Sequence, residues 1–198
     1  MNIIKLSFLV FFLFVSNAYS TTIDPSVQLK EASNGVLNLL YSDSQNTEKE
    51  IMEYLSKEYN LDIIIRRTLG RNWNKIEEGH RAKIISLIKQ LVMSAYLDGM
   101  SGQSKPKIEF SNTKFQSNKR AEVPTKLYLD NKPIVLVYRL GLVGGKWEIF
   151  DIVIENISIV LTYRKQFDSF FTNSSSKDLV EKLEKLLTDE NLSKSLPL

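Results

Sequence analysis

Asp151 is the residue whose surroundings most invite a chemical reading. It lies inside Phe150-Asp151-Ile152-Val153-Ile154, and a carboxylate among apolar side chains must find partners or reach water. With Tyr138 or Tyr128 donating a hydrogen bond to it, Asp151 would be a general base in an apolar pocket, able to take a proton beside a carbonyl. Bound to backbone groups or to an arginine, it would be structural, and that is the expected role. The chain has one histidine, His80, and no cysteine. Those counts exclude disulfide scaffolds, thiolate zinc sites, thiol nucleophiles and metal motifs needing two histidines. A Ser-His-Asp triad would have to be built on His80, which follows Glu77-Glu78-Gly79 early in a helical stretch and reads as an ordinary surface histidine.

Two further patterns bear on phosphate. Gly141-Leu142-Val143-Gly144-Gly145-Lys146 resembles a phosphate loop, but its spacing is one residue short and Trp147 stands where a serine or threonine should hold magnesium. Neither a metal nor a nucleotide cofactor is expected. Arg66, Arg67, Arg71 and the pair Arg164-Lys165 are either solvated or ring the mouth of an apolar cavity, where arginine suits a phosphate. A formal charge of +3 over 198 residues is too small for the dense basic face of a nucleic-acid binder, so no nucleic-acid partner is expected. The three Asn-x-Ser sequons, at Asn156, Asn173 and Asn191, are read as chance matches.

These residues are carried by three stretches of different period. From Asp24 to about Met100 the pattern is helical. Asp24-Pro25 is a cap followed by proline in the first turn, and Thr47 with Glu50 has the spacing of a capping box. A short helix over Asp62 to Leu69 ends at Gly70. The fourth and longest helix, between Ile76 and Leu97, has an apolar arc wider than a surface helix needs, broken by one polar stripe at Lys83, Ser86, Gln90 and Ser94. Such a helix is either central to a bundle or has one side on the core and another lining an apolar cavity.

From Lys105 to Ser158 the period becomes two. Val123, Leu127 and Leu129 alternate with Glu122, Lys126 and Asp130, the mark of a strand with one wet face; Pro124 suggests an edge or a bulge. Asn131-Lys132 turns the chain. Ile134 to Leu140 and Trp147 to Ile154 are apolar in both alternating sets and should be covered on both faces. Ile108 and Phe110 offer a shorter fourth strand. Helix returns from Val160 to Phe171 and again through Leu179, Leu183, Leu186 and Leu187, with Asp189 to Leu198 frayed. The expected class is α+β, with a curved antiparallel sheet of about four strands (about 105–158) against a helical layer (about 24–100 and 159–188).

The first residues read as an address. A basic start at Met1 to Lys5, an apolar run from Leu6 to Val15 and small residues in Ala18-Tyr19-Ser20 make residues 1–20 a cleavable signal peptide, too short in its apolar part to span a bilayer. Residues 21–198 would then be one exported domain. An exported chain without disulfides fits a bacterial periplasm.

Arg66-Arg67-Thr68-Leu69-Gly70 followed by Trp73, the long helix ending in Ala95-Tyr96, the block from Trp147 to Ser158, and Tyr163-Arg164-Lys165-Gln166-Phe167 together resemble the toluene-tolerance family. That family includes the soluble periplasmic phospholipid carriers of the maintenance-of-lipid-asymmetry pathway. Two positions depart from its pattern: Asn156 stands where glycine is usual and His80 where glutamine is common. The resemblance implies a non-enzymatic monomer that holds phospholipid acyl chains in an apolar pocket between sheet and helices. It would pass the lipid between an outer-membrane lipoprotein complex and an inner-membrane ABC transporter complex. Expected lining residues are Leu91, Tyr96, Val123, Leu127, Ile134, Leu136, Tyr138, Trp147, Ile149 and Val153, with Arg164 as a headgroup or partner contact. The alternatives are a carrier for another lipid, such as a hopanoid precursor, an enzyme using Asp151 with a tyrosine on a small apolar substrate, and an interaction protein without a cavity.

Overall fold

The computed structural model describes residues 23–129 and 132–188. The expected signal peptide, residues 130–131 of the strand turn and the expected frayed end lie outside those bounds.

Among the described residues six helices follow the apolar periodicity. The first, α1 (Pro25–Leu40), starts as its sequence dictates: the Asp24 carboxylate accepts from the Ser26 amide at 2.8 Å and Pro25 fills the first turn, where its missing N–H costs nothing. In α2 (Thr47–Glu58) the expected capping box is displaced. Asn46 takes the cap position without a side-chain bond, Glu50 accepts from the Ser44 hydroxyl at 2.8 Å, and the Thr47 hydroxyl donates back to the Ser44 carbonyl. The third helix, α3 (Leu61–Leu69), stops at Gly70, whose φ of +54° is a backbone state that favours glycine. A 3-10 turn over Gly70–Lys75, not expected from the sequence, then leads to α4 (Glu78–Met100). The chain ends in α5 (Ile159–Asn173), capped by the Ser158 hydroxyl accepting from the Leu161 amide, and α6 (Ser176–Thr188).

Between the helices run β1 (Lys107–Phe110), β2 (Lys114–Ser117), β3 (Arg120–Leu129), β4 (Lys132–Val143), β5 (Lys146–Ile154) and β6 (Ile157–Ser158). They form one antiparallel sheet of order β1-β3-β4-β5-β6, with β2 also on β3. Among the described residues the strand count is therefore six rather than about four. The two additional strands are short: β2 is exposed along its length and β6 has two residues, so neither carries the alternating burial that marks a strand in sequence. Because β1 pairs with Thr125 to Tyr128 and β2 with Arg120 to Glu122, Pro124 falls where β3 changes partners. Its missing N–H is tolerated at that gap. Gly144 and Gly145, both with positive φ, make the two-residue β4–β5 turn; the apparent phosphate loop is a hairpin.

Two apolar clusters hold the layers together. One joins α3, α4, α5 and α6 through Ile65, Leu69, Ile84, Ile88, Phe167, Phe171, Leu179 and Leu183. The other joins α1 and the segment around Tyr59 to the sheet through Leu29, Ala32, Ala121, Val123, Leu140, Trp147 and Ile149. One sheet face is therefore covered by α1 and the segment around Tyr59. On the other face Arg67 of α3 lies over Phe150 and the start of α5 meets Asp151, whereas Val135 of β4 is 44% exposed, so shelter on both sides is found around Phe150 and Asp151 of β5 but not at Val135 of β4.

Candidate functional site

The register decides which side chains share a face, because directly opposed residues of an antiparallel pair point the same way. On the helix-facing side stand Ala121, Val123, Thr125 and Leu127 of β3 opposite Leu140, Tyr138, Leu136 and Ile134 of β4. On β5, Trp147 opposes Leu142, Ile149 opposes Leu140, Ile152 opposes Tyr138 and Ile154 opposes Leu136. Phe150 is the extra residue of a bulge between the Arg139 and Leu140 pairings, and it changes the phase of β5 there.

Seven of the expected lining residues are thereby brought onto one face: Val123, Leu127, Ile134, Leu136, Tyr138, Trp147 and Ile149. Val153 is not among them. It opposes Val137 and points to the other face with Asp151; beyond the bulge the helix-facing places belong to Ile152 and Ile154. Plain alternation from Trp147 leads through Asp151 to Val153, and Asp151 is the signal that this phase breaks: a carboxylate has no place on that apolar face. Leu91 lies within the helical cluster of α3 to α6. Tyr96, near the end of α4, is 36% exposed and close enough to Tyr138 to act on its ionisation.

Coverage of this face changes along the strands. Near the β4–β5 turn, Ala121, Val123, Leu140, Trp147 and Ile149 are buried against α1 and Tyr59. At the opposite end Leu127, Ile134, Tyr138, Ile152 and Ile154 are only half-buried, although Thr125 and Leu136 between them are buried. Val92, on the same part of α4 as Tyr96, is exposed. The Tyr138 ring sits 6.4 Å from the Phe110 ring, and burial, with Tyr96 nearby, pushes its phenol up to about 12. Burial also pushes the Tyr59 phenol well above the usual tyrosine range.

Asp151 is fully engaged. Its carboxylate accepts from Arg139 Nη1 at 3.1 Å, from the Ser158 hydroxyl at 2.8 Å and from the Val160 amide at 3.2 Å, while Arg139 Nε also reaches Glu122. It thus ties β5 to β4 and to the start of α5. Tyr138 points to the opposite face, and Tyr128 donates to Glu109, so neither stands beside it. His80 Nδ1 lies 2.9 Å from the Ser176 hydroxyl, pinning the start of α4 to the start of α6. Arg71 pairs with Asp168 at 3.1 Å. Arg164 donates from Nε and Nη2 to the Arg67 carbonyl, at 3.0 and 2.6 Å, and so secures the end of α3. Lys165 is exposed.

No curated protein sequence gives a significant match to the chain. Among solved structures, the phospholipid-binding protein from Ralstonia solanacearum, determined in complex with a phospholipid, shares the fold: the TM-score is 0.72 at 18% identity, over 86% of this chain and 99% of that one. Residues 29–185 match the family described as MlaC protein. That span runs from the second turn of α1 into the last turn of α6, and on it the chain belongs to the MlaC family.

Proposed function

We propose that the protein is a carrier that shelters phospholipid acyl chains between the half-buried end of its sheet and the facing helices. Supporting this are membership of the MlaC family and the shared fold of a Ralstonia solanacearum protein described as phospholipid-binding. The observation that carries it is the set Leu127, Ile134, Tyr138, Ile152 and Ile154, apolar or aromatic, on one face around the buried Thr125 and Leu136, and themselves only half-buried where the neighbouring row is sealed.

The energetics favour near-complete enclosure. At about 0.8 kcal/mol per buried methylene, two acyl chains of roughly 16 carbons hide on the order of 25 kcal/mol of contact with water. A bilayer gives the tails equal shelter, so a carrier that matches it can load and unload near balance. We further read the chain as periplasmic, non-enzymatic and passing lipid between an outer-membrane lipoprotein complex and an inner-membrane ABC transporter complex. The engagement of Asp151 by Arg139, Ser158 and Val160 speaks against the alternative of a general base.

Organic extraction of the mildly purified protein, followed by lipid mass spectrometry, tests the proposal. Near-stoichiometric phospholipid is expected; a hopanoid in its place would keep the carrier and change the cargo. Repeated absence of lipid from several mild preparations would overturn it.

A further inference from the structure

The outer face of α3 and the following 3-10 turn bound a cavity of about 410 Å³ lined by Ile63, Arg66, Arg67, Gly70, Trp73 and Asn74. Two guanidinium groups share the Trp73 ring, Arg66 at 4.8 Å and Arg81 at 5.2 Å from its centroid. Two more share the Phe150 ring, Arg67 at 4.8 Å and Arg120 at 4.4 Å. Arg164, bonded to the Arg67 carbonyl, adds a fifth cation. Among the described residues none of these five forms an ion pair with a carboxylate. The acid that acts most on Arg67 is Asp151, and it is already held by Arg139.

Such a cluster is costly without a counter-charge, since burial and the neighbouring Arg120 and Arg164 all act against the charged form of Arg67. The Nε atoms of Arg67 and Arg81 are buried and meet no acceptor among the described residues. Arginines stacked on aromatic rings keep their N–H edges directed sideways, the arrangement that grips a tetrahedral oxyanion in a bidentate way.

We propose that this cavity is a phosphate-binding site, with Arg66 and Arg67 gripping the anion beside Trp73 and the charges of Arg81, Arg120 and Arg164 holding it there. The phosphate can come from a lipid headgroup or be free in solution. The site stands on its own geometry; assigning its phosphate to a lipid rests on the carrier reading.

The chain has two tryptophans, so Trp147→Phe leaves Trp73 as the sole indole reporter. Its fluorescence is titrated with inorganic phosphate and with glycerophosphoglycerol, a water-soluble lipid-like phosphodiester, against chloride at matched ionic strength. Saturable binding is expected, weakened at least about tenfold by Arg66→Ala and by Arg67→Ala, partly restored by Arg67→Lys and unchanged by Lys49→Ala on α2. Should Arg67→Ala not fold, the exposed Arg66 still decides the question. Binding of both probes points to a headgroup, binding of phosphate alone to the free anion, and either supports the site. No response beyond that of chloride, or equal affinity in the Arg66→Ala protein, overturns it. Phosphate binding by a protein that carries no lipid would end the carrier reading and keep the site; lipid carriage without phosphate binding would do the reverse.

Discussion

Ala121, Val123, Leu140, Trp147 and Ile149 occupy the same sheet face as Leu127, Ile134, Tyr138, Ile152 and Ile154, but the first row is closed under α1 and Tyr59 while the second is half-open. Side-chain chemistry does not separate the rows, since each is built of aliphatic and aromatic residues. What differs is the element lying above. A close-packed end can fix the sheet on the helices, and on the proposed function the other end would exchange packing among protein atoms for an acyl chain.

The sharpest way to break this comparison is to truncate one residue from each row. Leu140→Ala, at a fully buried position, should cost about 2–5 kcal/mol through lost burial and a residual cavity. Ile134→Ala should cost clearly less in the delipidated protein. Urea unfolding of both reads the difference, and equal losses would erase the distinction between the two ends.

Enlarging the same face asks the converse question. Ile149→Trp, in the closed row, should overpack the core and lose about 1–3 kcal/mol. Ile134→Trp should melt near wild type after delipidation, a necessary step because bound ligand raises apparent stability, and should retain less lipid. The comparison fails if Ile134→Trp is the more destabilised of the pair.

Asp151→Asn keeps the shape of the side chain but removes the charge facing Arg139, which should lower stability by about 1–3 kcal/mol while leaving lipid retention intact in the folded protein. Normal stability together with loss of a measurable turnover would favour a catalytic Asp151. A smaller effect is expected in alkali. Burial raises the Tyr138 phenol to about 12 in the folded protein, against about 10 when unfolded. Its contribution is therefore full below about pH 10 and lost as the pH rises towards 12. Tyr138→Phe should flatten that part of the stability–pH curve, measured by urea midpoints from pH 9 to 12; an unchanged slope would show that Tyr138 is not the group responsible.

Much of this architecture is legible from residue periodicity. Asp24-Pro25 marks the start of α1, Gly70 marks the end of α3, β3 alternates visibly, and β4 and β5 stand out as apolar runs. The face assignment of β5 is where simple reading stops. One bulge residue, Phe150, reverses which side chains meet the helices, so Val153 leaves the apolar face and Ile152 and Ile154 join it. The Arg164 guanidinium is equally opaque to local pattern, because its partner is the Arg67 carbonyl, 97 positions away in the chain. The Thr47 and Glu50 spacing shows the opposite limit: a valid local motif was outcompeted by Ser44, three residues nearer the preceding helix.

Native mass spectrometry tests the central claim most directly. The protein is released from a cell envelope extract without detergent, as wild type and as Ile134→Trp, and its intact mass is compared before and after organic extraction. The account predicts a wild-type mass excess equal to bound phospholipid, removed by extraction and diminished in the folded Ile134→Trp protein. A wild-type mass equal to that of the bare chain in every mild preparation, or a full lipid load in Ile134→Trp, would contradict it.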